Sequence, residues 1–284
     1  MTLNEIKKTY QHQLSDLYPE EEIDSFFYMI VEKELGYSKA KALSLLHDTV
    51  SMGESIGLHQ YLKLLKKGRP IQYLLGSTEF YGLPISVNQH TLIPRPETEE
   101  LVEWILKDYS SIDEKLSVLD IGTGTGCIAI ALSKNLSNAN LTAWDISEEA
   151  LKIAQKNSKQ NNVNVAFQQQ DILEIDALPG SYDIIVSNPP YVRKQERVEM
   201  HQNVLDHEPG LALFVEDENP LVFYEKIASL ALQCLTEDGA LYFEINAYLG
   251  NDLVKLLKEK GFSKVILKKD LFGKDRMIKC TLRE

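Results

Sequence analysis

Hydrophobic residues along this chain change their spacing twice, and each change predicts a different architecture. In the first 76 residues they recur every three or four positions, the period of a helix. Pro19-Glu20-Glu21-Glu22 reads as a first helical turn, Ile23, Phe26, Phe27, Ile30 and Val31 follow as one stripe, and Gly36 ends it. Ser38 predicts the cap of a third helix carrying Ala42, Leu45 and Leu46. A fourth carries Ile56, Leu58, Tyr61, Leu62, Leu64 and Leu65. Between Glu79 and Val87 the pattern drops to alternation around Gly82-Leu83-Pro84, which predicts a short β-hairpin. From residue 117 onward, short β-branched runs alternate with helical stretches, the mark of a parallel α/β sheet. The runs lie at 117–121, 141–145, 163–167, 182–187 and 240–244, with 264–267 and 276–282 closing the sheet as a hairpin. The expectation is a helical domain over residues 1–76, a linking hairpin over 77–90 and a seven-stranded α/β domain over 91–284.

The strand ends carry the candidate chemistry. The run 117–121 feeds Gly122-Thr123-Gly124-Thr125-Gly126 and then a helix. Such a loop lets backbone approach a ligand closely, and the helix N-terminus favours a carboxylate or phosphate. No Lys-Ser/Thr follows the loop, so it is not a P-loop, and its G-x-G-x-G spacing departs from the dinucleotide pattern. Asp145 ends the next strand about 20 residues past the glycines, where ribose hydroxyls bind in such folds. Asp171 follows the third strand and is placed to meet an adenine amino group. Together these residues predict a nucleoside cofactor with a charged amino-acid end.

The run Tyr182–Ser187 stops at Asn188-Pro189-Pro190-Tyr191, because neither proline can donate a ladder hydrogen bond. A stiff turn with an amide at one end and an aromatic ring at the other suits methyl transfer to a planar nitrogen. Such a nitrogen has a delocalised lone pair and two N–H groups that need acceptors. The Asn188 side-chain oxygen and the Pro189 carbonyl can hold both hydrogens, while Tyr191 packs on the planar group. In a doubly wound sheet the first and fourth strands flank the switch point, so the Gly loop and Asn188 are expected to face each other.

Charge narrows the field. The 284 residues are 44% hydrophobic and 25% charged, with a formal net charge of −12. That balance argues against gripping a nucleic-acid backbone as the main mode of binding. Residues 1–90 hold 9 Lys and Arg against 11 Asp and Glu, so most of the negative charge lies downstream. The weakly charged helical domain reads as a module for packing or partner recognition. Cys127, Cys234 and Cys280 are too widely spaced for a disulfide framework or a metal cluster, and buried thiols in a reducing cytoplasm are expected. The start lacks a signal peptide's apolar core and no run reaches membrane length, so no membrane association is expected.

Taken together, the segments 118–126, Asp145, Asp171 and Asn188-Pro189-Pro190-Tyr191 resemble the class I S-adenosylmethionine-dependent methyltransferases, with their Rossmann-like sheet. A closer resemblance is to the bacterial protein-(glutamine-N5) methyltransferases of peptide-chain release factors. It rests on Arg69–Gly76, on Leu92-Ile93-Pro94-Arg95-Pro96-Glu97-Thr98-Glu99, on Glu208-Pro209 with Ala212-Leu213, and on Lys269-Asp270-Leu271 with Asp275-Arg276. The resemblance implies that Gly122 to Gly126, Asp145, Asp171, Ile172 and Asn188 bind S-adenosylmethionine, and that Asn188, Pro189, Pro190 and Tyr191 hold the glutamine. It also implies that the partner is a class one release factor and that the enzyme is a cytoplasmic monomer, without direct nucleic-acid binding. An adenine- or guanine-directed nucleic-acid methyltransferase would share the Asn188 turn but needs a basic recognition region. A non-catalytic binder would not need both motifs intact.

Three further expectations concern the rim. Arg95, held on an extended segment by two prolines, either belongs to a helix-capping region or walls one side of the site. Residues 192–218 read as a polar loop or a substrate lid. Where the family has Glu-Ile-Gly followed by Gln, this chain has Glu244-Ile245-Asn246, so Asn246 is expected to take a turn that normally needs glycine, at little cost to activity because it lies beyond the main motifs.

Overall fold

The computed structural model describes residues 1–283, which form two compact units. The first comprises Met1–Gly76 together with His201–His207. Its helices are α1 (Leu3–Leu14), α2 (Glu20–Leu35), α3 (Lys39–Ser44), α4 (Met52–Leu65) and α5 (Ile71–Leu75). Thr2 with Glu5, and Ser51 with Glu54, close reciprocal capping boxes at α1 and α4. Gly36 takes φ +67° at the end of α2, the left-handed turn that glycine adopts without a Cβ penalty. The α2 stripe and Leu58, Tyr61, Leu62 and Leu65 of α4 meet Leu3, Ile6, Tyr10 and Leu14 of α1 in one core, while Ile56 of the predicted α4 stripe is exposed and Leu64 lies outside that core. Tyr10 and Phe27 pack edge to face at 5.3 Å there. Leu45 and Leu46 fall outside α3, in the turn that follows it.

The second unit begins at Ser77 and holds everything else. Strands β1 (Ser77–Phe80) and β2 (Leu83–Ser86) form the expected hairpin. Its turn is Tyr81-Gly82, both at positive φ (51° and 71°), the geometry that lets a two-residue loop follow the strand twist. Pro84 therefore sits inside β2, opposite Glu79, rather than in the turn. Then follow α6 (Pro96–Tyr109), β3 (Leu116–Ile121), α7 (Cys127–Asn135), β4 (Ala139–Asp145), α8 (Glu148–Gln160), β5 (Val165–Gln169) and β6 (Tyr182–Ser187). The third sheet strand starts two residues later than its β-branched start at Val163 predicts. Asn162 takes φ 54° and the Val163 N–H bonds Ser158 O, so both residues close the end of α8.

Residues 192–218 are not a loop. They hold β7 (Val192–Arg193), a 3-10 turn over Lys194–Glu199, α9 (Gln202–His207), α10 (Gly210–Leu213) and β8 (Phe214–Val215), with β7 and β8 paired. The chain leaves the second unit at Met200 and re-enters it at Glu208. It ends with α11 (Val222–Cys234), β9 (Leu235–Glu244), α12 (Gly250–Lys260), β10 (Lys264–Lys269) and β11 (Asp275–Thr281).

Seven strands form one sheet in the order β10-β11-β9-β6-β3-β4-β5. Strands β3, β4, β5, β6 and β9 are parallel, and β11 runs against both its neighbours. The chain moves outward from β3 in one direction and returns on its other side at β6, so the switch point lies between these two, as expected. Their register pairs Ile121 with Ser187, and the Ser187 hydroxyl donates to Ile121 O at 2.7 Å. The residues that follow each strand, Gly122 and Asn188, are thereby neighbours. All three cysteines are buried thiols.

Candidate active site

A cavity of about 470 Å³ opens at the carboxyl ends of β3, β4 and β6, within the size range of small-molecule sites. Gly122, Thr123, Gly124, Thr125, Asp145, Asp171, Ile172, Asn188, Pro189 and Pro190 all line it. Two of the expected residues do not. Gly126 lies under the loop, where an added Cβ would come within 3.1 Å of both Ala154 and Ile130. Its function is to let α7 pack on α8. Tyr191 is turned away from the cavity: its hydroxyl donates to Glu244 at 3.2 Å and its ring packs on the core beneath the sheet.

The glycine loop hangs from β4. The N–H groups of Gly122 and Thr123 both bond Trp144 O at 2.9 Å, with Gly122 and Gly124 at φ +76° and +55°. The Asp145 carboxylate accepts from Gly124 N at 2.8 Å and from Ser147 N at 2.9 Å. Burial pushes its pKa up, and those backbone donors pull it back. Asp171 is steadied by Leu173 N at 2.9 Å.

Several supporting residues carried no signal in the sequence pattern. Asp120, fully buried under the loop, accepts from the Thr123 hydroxyl at 2.6 Å, and burial pushes its pKa up to about 7. Asn157, also fully buried, bonds Thr125 O at 2.9 Å and both main-chain groups of Ser86, tying the hairpin to the loop. Its position on the buried face of α8 is the one mark that could have drawn attention to it.

The far wall is built from segment 90–98 and the turn before α10. Arg95 lines the cavity and pairs with Glu208, whose second oxygen accepts from Ile93 N at 3.2 Å. Both sequence readings hold: Arg95 is the N-cap residue of α6, with proline in its first turn, and it also walls the cavity. Beside it, Asn188 Nδ2 donates to Thr98 Oγ1 at 3.4 Å, and Thr98 donates to Glu244 Oε2 at 2.6 Å. Glu244 is 1% exposed; burial raises its pKa, while Thr98, Arg276 and Tyr191 oppose the rise.

Asn246 departs from its expectation. Among the described non-glycine residues only Tyr81 and Asn162 have positive φ, so the chain after β9 makes no demand for glycine. Because β9 pairs directly with β6, the Asn246 amide reaches the turn after β6, donating to Tyr191 O at 3.1 Å and to Glu196 at 3.0 Å.

The residues fit S-adenosylmethionine. A Cβ added at Gly124 would meet nothing within 4 Å, so the loop backbone is open toward the cavity. Two carboxylates stand at its rim, and Ile128, Ile146, Ile172 and Leu173 line it with apolar surface for a base.

Comparison with known proteins agrees. Residues 98–210 match the family described as the methyltransferase small domain. A release factor glutamine methyltransferase of Flavobacterium psychrophilum is 49% identical over 288 residues, all of both chains. One of Bacteroides thetaiotaomicron is 45% identical over 277 residues, covering 97% of this chain and 99% of its own. A solved methyltransferase from Pyrococcus furiosus, 20% identical, superposes with a TM-score of 0.52 over 72% of this chain and 91% of that one, and shares the fold. At such identity over full length, the chain belongs to the release factor glutamine methyltransferases.

Proposed function

We propose that this enzyme moves the methyl group of S-adenosylmethionine onto the side-chain amide nitrogen of the glutamine in the Gly-Gly-Gln loop of class one release factors. The observation that carries this reading is the register Ile121 to Ser187, which sets Asn188 beside the glycine loop at the switch point. Bound there, S-adenosylmethionine supplies an electrophilic sulfonium methyl.

The chain's own residues bind and orient. Gly122 to Thr125 surround the methionine end, Asp145 takes the ribose hydroxyls, and Asp171 with Ile172 meets the adenine. Asn188 has its amide nitrogen engaged by Thr98, which leaves its oxygen to accept one substrate N–H. The Pro189 carbonyl accepts the other. Together they aim the nitrogen lone pair and stabilise the positive charge that develops on it. Pro190 stiffens the turn, and Tyr191 holds it from beneath through Glu244. The proton leaves to water after transfer, so no side-chain base is required. The helical unit holds the rest of the release factor; the enzyme works as a cytoplasmic monomer without touching nucleic acid.

The test is transfer of label from methyl-labelled S-adenosylmethionine to a purified release factor. Label should appear on the wild-type factor and vanish when its loop glutamine is changed to alanine. Equal labelling of the two, or labelling of nucleic acid instead, would overturn the reading.

A further inference from the structure

The segment Ile93–Glu99 is a specific sequence mark of this chain, and Thr98 within it enters the reading above only as the group that engages the Asn188 amide nitrogen. Thr98 lines the cavity but is 3% exposed, and it stands between Asn188 and the buried Glu244. We infer that Thr98 and Glu244 are positioning residues that lock the Asn188 amide with its oxygen toward the substrate nitrogen, an inference that rests on Asn188 being the substrate's acceptor.

The two ends of an asparagine amide are nearly the same size, so shape alone does not select one orientation. Orientation matters here, because the flipped amide would present N–H groups to the N–H groups of the substrate. It would lose an acceptor and gain a donor-to-donor contact. Hydrogen-bond polarity removes the ambiguity. An ionised carboxylate only accepts, and Glu244 accepts from Thr98 at 2.6 Å and from the Tyr191 hydroxyl at 3.2 Å. Thr98 has one hydroxyl proton, and it is spent on Glu244. Toward Asn188, Thr98 can therefore only accept, and the atom it meets is Nδ2 at 3.4 Å. Every donor in the chain Asn188 to Thr98 to Glu244 points at the same buried carboxylate; burial raises its pKa, and Thr98, Arg276 of β11 and Tyr191 oppose that rise.

The same carboxylate fixes the turn at its other end through Tyr191, so one buried group holds both flanks of Pro189-Pro190. That accounts for an acid left 1% exposed at the end of a central strand, a placement that costs stability unless its partners are complete.

The test measures kcat and KM for release-factor methylation and calorimetric affinity for S-adenosylmethionine, in wild type, Thr98→Val, Thr98→Ser, Glu244→Gln, Asn188→Ala and the pairs with Asn188→Ala. Thr98→Val should lower kcat about tenfold, on the scale of one lost hydrogen bond, with KM and cofactor affinity within about twofold. Thr98→Ser keeps the hydroxyl and should recover kcat to within about threefold of wild type. Glu244→Gln keeps the shape but can donate to Thr98, so the lock loosens and kcat should fall about fivefold. In the Asn188→Ala background both substitutions should change kcat less than twofold, because there is no amide left to orient. Wild-type kcat in Thr98→Val, or an undiminished loss in the Asn188→Ala background, would overturn the inference while leaving the proposed reaction intact. A wild-type enzyme that labels no release factor would instead sink the reaction itself. If Thr98→Val does not fold, Glu244→Gln and its pair decide the matter.

Discussion

The two sides of the cavity are held in different ways. On the cofactor side, the glycine loop is fastened mostly by groups close in sequence: Asp120 to Thr123, Gly122 to Trp144, Gly124 to Asp145. On the substrate side, the Asn188 turn leans on Thr98, 90 positions away, and through Tyr191 on Glu244, 53 positions away. A loop whose partners lie within one β-α-β passage is built whenever that passage folds. A turn whose partners come from two distant segments is correct only when the whole sheet is assembled. The contrast predicts that cofactor binding and methyl transfer fail separately.

The strongest test of that separation is Asn188→Ala, which removes one acceptor and touches no glycine. Turnover should fall about a hundredfold, as for loss of one preorganised polar contact in a transition state, while calorimetry shows cofactor affinity nearly unchanged. A parallel loss of affinity would mean the two sides are one structure. Gly126→Ala attacks the packing beneath the loop instead. A methyl at φ +80°, within 3.1 Å of Ala154 and Ile130, should cost about 2 kcal/mol of stability, read as a lower Tm. Asp145→Ala should weaken cofactor affinity by about 1–2 kcal/mol, the worth of a hydrogen bond to a charged group, and leave kcat at saturating cofactor close to wild type.

A separate test concerns Asp120, whose pKa is raised from 3.8 to about 7 by burial. The folded state then binds the proton more tightly than the unfolded state. Its contribution to stability is full below 3.8 and is lost as pH rises toward 7. Asp120→Asn keeps an acceptor for Thr123 and cannot ionise. Denaturant unfolding should show the variant gaining on wild type as pH rises from 4 to 8. A constant difference across that range would mean Asp120 does not titrate there.

What could be read from residues alone followed the same division. The strand runs, the Gly122–Gly126 loop and the acids 145 and 171 announce themselves, because short β-branched apolar runs, glycine turns and strand-end carboxylates are properties of short stretches. Asn188-Pro189-Pro190 was legible for the same reason, since two prolines must end a strand. Tyr191 was not. Whether an aromatic ring after such a turn faces the cavity or the core depends on the strand beside it, and β9 supplies the Glu244 carboxylate that draws its hydroxyl inward. Gly126 looked like its neighbours in sequence, but the Ala154 side chain on α8 makes it a packing glycine. Asn246 was misjudged as remote because strand order is not sequence order: β9 lies directly against β6.

The sequence by itself determined most of the helices and strands outside residues 192–218, where the parallel sheet begins, and which glycine loop lines the cavity. These follow from local periodicity and from glycine and proline, whose backbone limits do not depend on distant residues. Tertiary structure alone decided which polar side chains meet. The Asn188 amide, the Thr98 hydroxyl and the Glu244 carboxylate are scattered through the sequence, and a hydrogen bond forms only within about 3 Å. Three elements, α6, β6 and β9, must be in place before that distance exists.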